Sequence, residues 1–162
     1  MTHQPPYYPA PGQGQYPAPI APPMSVPGYA YANLDTHRSL TKYLLLGLIT
    51  FGIYTIWLTA RAGDDLNAIA SRRDNRRTMN FWLLALVVGP ITFGFAYIFW
   101  WHNSCDRIGN ELQRRGMTRT ITAADYWLWG VLGAFIIVGP FIFMYKRLHA
   151  MNQLCADYNY RG

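Results

Sequence analysis

The chain is short of charge, short of cysteine and, over long stretches, free of charge altogether. Only 14% of its 162 residues are Asp, Glu, Lys or Arg, against 51% hydrophobic and 16% aromatic residues. Its two cysteines, Cys105 and Cys155, are too few for a disulfide framework. Residues 1–33 contain no charged side chain, yet they hold nine of the eleven prolines. The first residues, Met1-Thr2-His3-Gln4-Pro5-Pro6, have neither a basic n-region nor an apolar h-region, so no cleavable signal peptide is expected. Missing too are a nucleophile elbow, a phosphate-binding glycine loop and a carboxylate pair. No catalytic residue and no cofactor are therefore expected, and the chain reads as a non-enzyme.

All 22 charged side chains lie in residues 34–162, but unevenly. Three runs carry none: Tyr43–Ala60 (18 residues), Thr78–Cys105 (28) and Tyr126–Tyr145 (20). Apolar runs of about 18 residues or more read as membrane segments, which excludes an ordinary cytosolic enzyme. The first run is expected to serve as its own insertion signal. Net charge is +6, and twelve of the fourteen basic residues are arginines that flank or separate the runs. That placement fits loops beside anionic headgroups rather than nucleic acid, so the expected partner is the lipid bilayer, with other membrane proteins or a second copy beside it.

Residues 1–33 repeat Tyr8-Pro9-Ala10-Pro11 as Tyr16-Pro17-Ala18-Pro19. Proline removes backbone donors and fixes φ, so an extended, disordered tail is expected. Pro5-Pro6-Tyr7-Tyr8 matches a short proline-recognition pattern, but such matches are common in sequence of this composition, and a solvated leader is the reading preferred.

The three runs are related. Thr50-Phe51-Gly52 returns as Thr92-Phe93-Gly94 at an offset of 42, which also pairs Asp64 with Asp106. The third run keeps Gly139-Pro140 in its second half and aligns only with a gap. Each copy has a break, at Thr50-Phe51-Gly52, at Gly89-Pro90 with Thr92-Phe93-Gly94, and at Gly139-Pro140, followed by an amphipathic helix. The apolar stripes are Leu58-Ala62-Leu66-Ile69, Trp101-Cys105-Ile108-Leu112 and Leu148-Met151-Leu154-Tyr158; they are expected to pack on the bilayer surface or a neighbouring copy. The predicted fold is an all-α membrane domain over 34–162, with copies at about 35–72, 75–116 and 121–160.

Two topologies compete. Helical hairpins turning at the breaks put every basic residue on one side, as the positive-inside rule prefers. Three single transmembrane spans share the basic residues almost evenly between sides. Length argues against full-depth hairpins, because Lys42 to Thr50 covers only about 12 Å of helix. Hairpins that dip without crossing are the reading preferred, and single spans are the alternative.

Arg38-Ser39, an apolar stretch, Thr50-Phe51-Gly52-Ile53-Tyr54, Trp57 and Asp65-Leu66-Asn67 together resemble a bacterial family, the domain-of-unknown-function family numbered 4234. The resemblance spans about residues 36–160, and the second and third copies replace Gly-Ile-Tyr by Gly-Phe-Ala and Gly-Pro-Phe. It implies a small membrane protein at the bacterial cell membrane and carries no activity, substrate or cofactor. The Pro/Tyr/Gly-rich leader is similar to those of actinobacterial membrane proteins.

The remaining candidates are weak. His102 and Cys105 stand one helical turn apart, but zinc takes four ligands, and His149 and Cys155 lie on different sides of a helix. No metal is expected. Asp64, Asp65 and Asp106 are expected in helix-end ion pairs with Arg61 and Arg107. Tyr43, Trp57, Trp82, Trp100, Trp101, Tyr126, Trp127, Trp129 and Tyr145 read as interfacial anchors, with Phe51, Phe93, Phe95, Phe135 and Phe141 deeper. The expected role is a membrane scaffold or regulatory subunit; the alternative is a small transporter or channel with Thr50 and Thr92 on its path.

Overall fold

The computed structural model describes residues 32–162. The tail expected over residues 1–33 falls almost wholly outside the described residues. Those described form six helices and no strand. They come as three pairs, each a short helix, a tight reversal and a long helix. The first pair is α1 (Leu40–Ile49) and α2 (Ile53–Asp74). The second is α3, over 81–91, and α4 (Phe95–Arg114). The third is α5, over 123–136, and α6 (Gly139–Arg161).

The first two reversals are built alike. Gly52 N–H donates to Gly47 O at 2.7 Å and Gly94 N–H to Gly89 O at 2.8 Å, the six-to-one bond that closes a Schellman helix end. The residue before each glycine is left-handed as well: φ is 50° at Phe51 and at Phe93, 88° at Gly52 and 87° at Gly94. Threonine supplies the rest. Thr50 Oγ1 donates to Leu46 O (2.6 Å) and accepts from Tyr54 N–H (2.9 Å). Thr92 Oγ1 donates to Val88 O (2.7 Å) and accepts from Ala96 N–H (3.2 Å). One hydroxyl thus closes the outgoing helix and opens the incoming one.

Glycine lets the two arms of a pair touch. A Cβ on Gly47 would sit 2.5 Å from Thr55 Cγ2, and one on Gly89 would sit 2.6 Å from the Tyr97 ring. These are equivalent positions at the offset of 42, Gly47 with Gly89 and Thr55 with Tyr97. The third reversal differs from expectation. It falls at Ile137, with φ 54°, and Val138, while Gly139-Pro140 opens α6. Gly139 is used for close approach, since a Cβ on Gly133 would lie 2.8 Å from Gly139 Cα. Gly89-Pro90 likewise does not break its helix; Pro90 sits in the last turn of α3, just beyond a segment wound i→i+5, where Gly89 N–H reaches Leu84 O. Proline has no N–H to give, so a wider turn before it loses little.

No helix among the described residues is long and apolar enough to cross a membrane. The alternative of three single spans required each apolar run to continue straight, and each instead folds back on itself, the first two at the expected Thr-Phe-Gly and the third at Ile137 and Val138.

The second halves of α2, α4 and α6 make the main core. All three predicted stripes face inward, and Leu66, Ile108 and Leu154, each fully buried, come together there. Burying each such side chain contributes roughly 1.5–3 kcal/mol. These three residues lie fourteen, fourteen and fifteen positions beyond Gly52, Gly94 and Gly139. Trp101 meets Phe143 nearer the reversals and Arg115 meets Asp157 farther along. Gly63 lies against Trp100, and Asp74 farther along pairs with Arg107, so the long helices run in the same direction with their three reversals at one end. A strap before α1 closes the far end: Asn159 and Asn152 on α6 each exchange two hydrogen bonds with the backbone, at Leu34 and Arg38 respectively.

Candidate functional site

The molecule has two unlike ends. At the reversals the surface is apolar and open: Phe51 is 96% exposed, Phe93 92% and Phe135 87%, with Leu48, Ile49, Ile91, Ile136 and Ile137 exposed beside them. Nothing in the pattern of a water-facing turn favours these residues, since turns normally carry Asn, Asp, Ser or Gly. The backbone there is nonetheless hydrogen-bonded within the turn, including the threonine hydroxyls. Thr50 and Thr92 are therefore committed to turn geometry.

Six residues beyond Gly94, about 9 Å along α4, lies an aromatic neck. Phe81 on α3 packs against Trp100 on α4 with ring centroids 4.7 Å apart, and Trp101 meets Phe143 at 5.6 Å. Trp100 Nε1 donates to Met79 O at 2.8 Å. The aromatic residues therefore divide. Trp100 and Tyr126 are buried in the neck, whereas Trp57, Trp127 and Tyr145 remain exposed. Arg147 is enclosed at this level, 1% exposed, its guanidinium 4.6 Å from the Trp101 ring and 5.5 Å from Trp100. Its Nη2 reaches Ser104 Oγ at 3.4 Å. Counting charges along the chain placed Arg147 in a loop; three-dimensional packing places it inside.

Beyond the neck the surface is charged and ion-paired, with partners other than those expected. Asp65 pairs with Arg38 rather than Arg61, and both side chains are buried. Burial pushes the Asp65 carboxyl above its ordinary value, against the pull of Arg38 and Arg61. Asp106 pairs with Arg119 at 2.5 Å. Arg107 donates to Asp74, Asn67, Thr78 and Ser71 and to Arg76 O, tying the 75–80 loop to α2 and α4. Arg115 bridges Glu111 (2.7 Å) and Asp157 (2.9 Å), joining α4 to α6. Asp64 is exposed. The small sequence separations that suggested Arg61 and Arg107 as partners mislead, because the helix pairs bring residues 27 and 33 positions apart together.

His102 and Cys105 diverge: His102 Nδ1 accepts from Trp127 Nε1 at 3.0 Å, while Cys105 lies in the core. Among the described residues no three His, Cys, Asp or Glu side chains are grouped to hold a metal. Both thiols are fully buried, and burial raises each one's pKa, that of Cys105 to about 12. A thiolate is the reactive form, so neither cysteine should react with a water-soluble maleimide in native protein on either side of a membrane. Both should react after denaturation. Fast labelling of Cys155 in native, permeabilised cells would contradict this packing.

The glycine contacts went unread in the sequence, although Gly47 and Gly89 share the offset of 42 that marks the turns. Arg38 and Asp65 both stand in the family pattern, but nothing there says that they pair. Arg147 and the two asparagine clamps left no signal, because their partners are fixed only by the fold.

Residues 38–110 match a family model described as a domain of unknown function (DUF4234). The match runs through the first helix pair and most of the second, stopping short of the third. No curated protein and no solved structure matches the chain.

Proposed function

We propose that the chain is an integral membrane protein of a bacterial plasma membrane, built from three tandem copies of one helical hairpin. The copies dip by their reversals into the cytoplasmic leaflet, and the arginine-rich ends stay in the cytoplasm. One observation carries this reading: the three turns that share one end expose large apolar side chains while the first two close their own backbone hydrogen bonds. Water requires neither property, but hydrocarbon requires both. The ten residues of α1 cover about 15 Å, the depth of roughly one leaflet of a 30 Å hydrocarbon core. A Phe or Ile inserted there gains roughly 1.5–3 kcal/mol over exposure to water.

The role proposed is a non-enzymatic scaffold or regulatory subunit. The bilayer is its first partner, and other membrane proteins or a second copy use its polar end; nucleic acid is not among its partners. A transporter is the weaker reading, since Thr50 and Thr92 spend their hydroxyls inside the turns. After alkaline carbonate extraction the protein should remain in the membrane pellet. Quantitative release into the supernatant would overturn the proposal.

A further inference from the structure

The loop between the first two hairpins overhangs a groove of about 980 Å³ along α4. Its two ends differ in chemistry. Toward the reversals the wall is Leu84, Ala96 and Phe99, the last only five residues beyond Gly94 and so about 8 Å along the helix. Toward the polar end it is lined by Arg73, Arg76, Arg77, Arg107 and Arg114.

The acidic residues in the groove are already engaged. Asp74 holds Arg107, Glu111 holds Arg114 and Arg115, and Asp106 holds Arg119. The side chains of Arg73, Arg76 and Arg77 are exposed and form no ion pair among the described residues, although Arg76 N–H donates to Asp74 Oδ1 at 2.9 Å. Partial burial holds the Arg114 guanidinium below its ordinary proton affinity, and the neighbouring charge of Arg73 adds to that. Three unspent positive charges therefore stand over one end of a cleft whose other end is apolar. That is complementary to a molecule with an anionic head and hydrocarbon chains, which uses both ends of the cleft where a compact soluble anion would use only one.

We propose that this groove holds one anionic phospholipid, its phosphate against Arg73, Arg76 and Arg77 and an acyl chain along Leu84, Ala96 and Phe99. This rests on the membrane reading above, which places the apolar wall within the leaflet and the arginines at headgroup level. Free phosphate shares the headgroup's chemistry but makes no use of the apolar wall, so the test must separate the two.

The experiment takes the full chain in detergent and measures bound lipid by native mass spectrometry during titration with phosphatidylglycerol, phosphatidylcholine or inorganic phosphate. One phosphatidylglycerol per chain should bind. The triple variant Arg73→Gln, Arg76→Gln, Arg77→Gln should bind it about 100-fold more weakly, from roughly five-fold per arginine near an anionic headgroup. These side chains are exposed, so the variant should keep its helical circular dichroism. Arg61→Gln, an exposed arginine outside the groove, serves as the control and should change little. Equal binding of phosphatidylglycerol and phosphatidylcholine, or an unaffected triple variant, would overturn the proposal. Arginine-dependent binding of inorganic phosphate that displaces the lipid would overturn it in favour of a soluble anion. Co-flotation with pure phosphatidylcholine vesicles reports insertion separately. A chain that floats without preferring phosphatidylglycerol loses only the groove, whereas one that never floats loses the membrane reading.

Discussion

Aspartate at both Phe51 and Phe93 should release the protein from carbonate-washed membranes while leaving its fold intact. Both side chains are more than 90% exposed, so the folded core loses no contact with them. Both also sit at φ 50°, a conformation that costs an ordinary L-residue about 1–2 kcal/mol and that Asp tolerates better than most. The soluble fold should therefore be as stable as before, or slightly more so. Phenylalanine at this strained position needs an external reason, and transfer into hydrocarbon supplies one. Each substitution removes roughly 2 kcal/mol of apolar transfer and adds about 3 kcal/mol for a carboxylate at depth. Two sites together cost on the order of 10 kcal/mol of insertion. A variant that stayed in the pellet with wild-type efficiency would contradict the proposal that these turns enter the bilayer.

Arg38→Ala should be strongly destabilising, costing about 3–5 kcal/mol. Arg38 has no exposed side chain, donates to Asp35 O at 2.6 Å and pairs with buried Asp65. Truncation leaves the Asp65 carboxylate buried without its nearest counter-charge. The pH dependence follows from the direction of the Asp65 shift. Its folded-state pKa is raised by desolvation, so its contribution is complete below the unfolded value near 3.8 and is lost as pH rises through the folded value. Losing Arg38 raises the folded value further, and the variant should recover stability as pH is lowered from neutrality toward the carboxylate range. Urea unfolding at several pH values measures this. The double change Arg38→Met, Asp65→Leu removes both charges and should recover most of the loss. A double variant no better than Arg38→Ala would mean that the pair itself was not the cause.

The three inward stripes were legible because helical burial repeats every three to four residues, and Leu66, Ile108 and Leu154 announce it locally. The first two turns were legible because Thr-Phe-Gly carries its own chemistry in three consecutive residues. The third was misplaced: Gly139-Pro140 resembles a break, yet Gly139 is held for contact with Gly133 and the chain reverses just before it. Asp65 with Arg38 and Arg107 with Asp74 were out of reach for a general reason. Such partners are selected by how one hairpin lies against the next, and no local pattern records that. Arg147 is the extreme case, a cation that charge counting assigns to a loop and that packing encloses between two tryptophans.

The central claim is that all three hairpins enter from one side and return to it. Single cysteines at Ala68, Gln113 and Ala156 test it, since each is an exposed position on α2, α4 or α6 beyond the neck and the native thiols are buried. An impermeant maleimide should label none of the three in intact cells and all three, at similar rates, after permeabilisation. Labelling of Gln113→Cys alone from outside, or of Ala68→Cys and Ala156→Cys without it, would put successive loops on opposite faces and contradict the account.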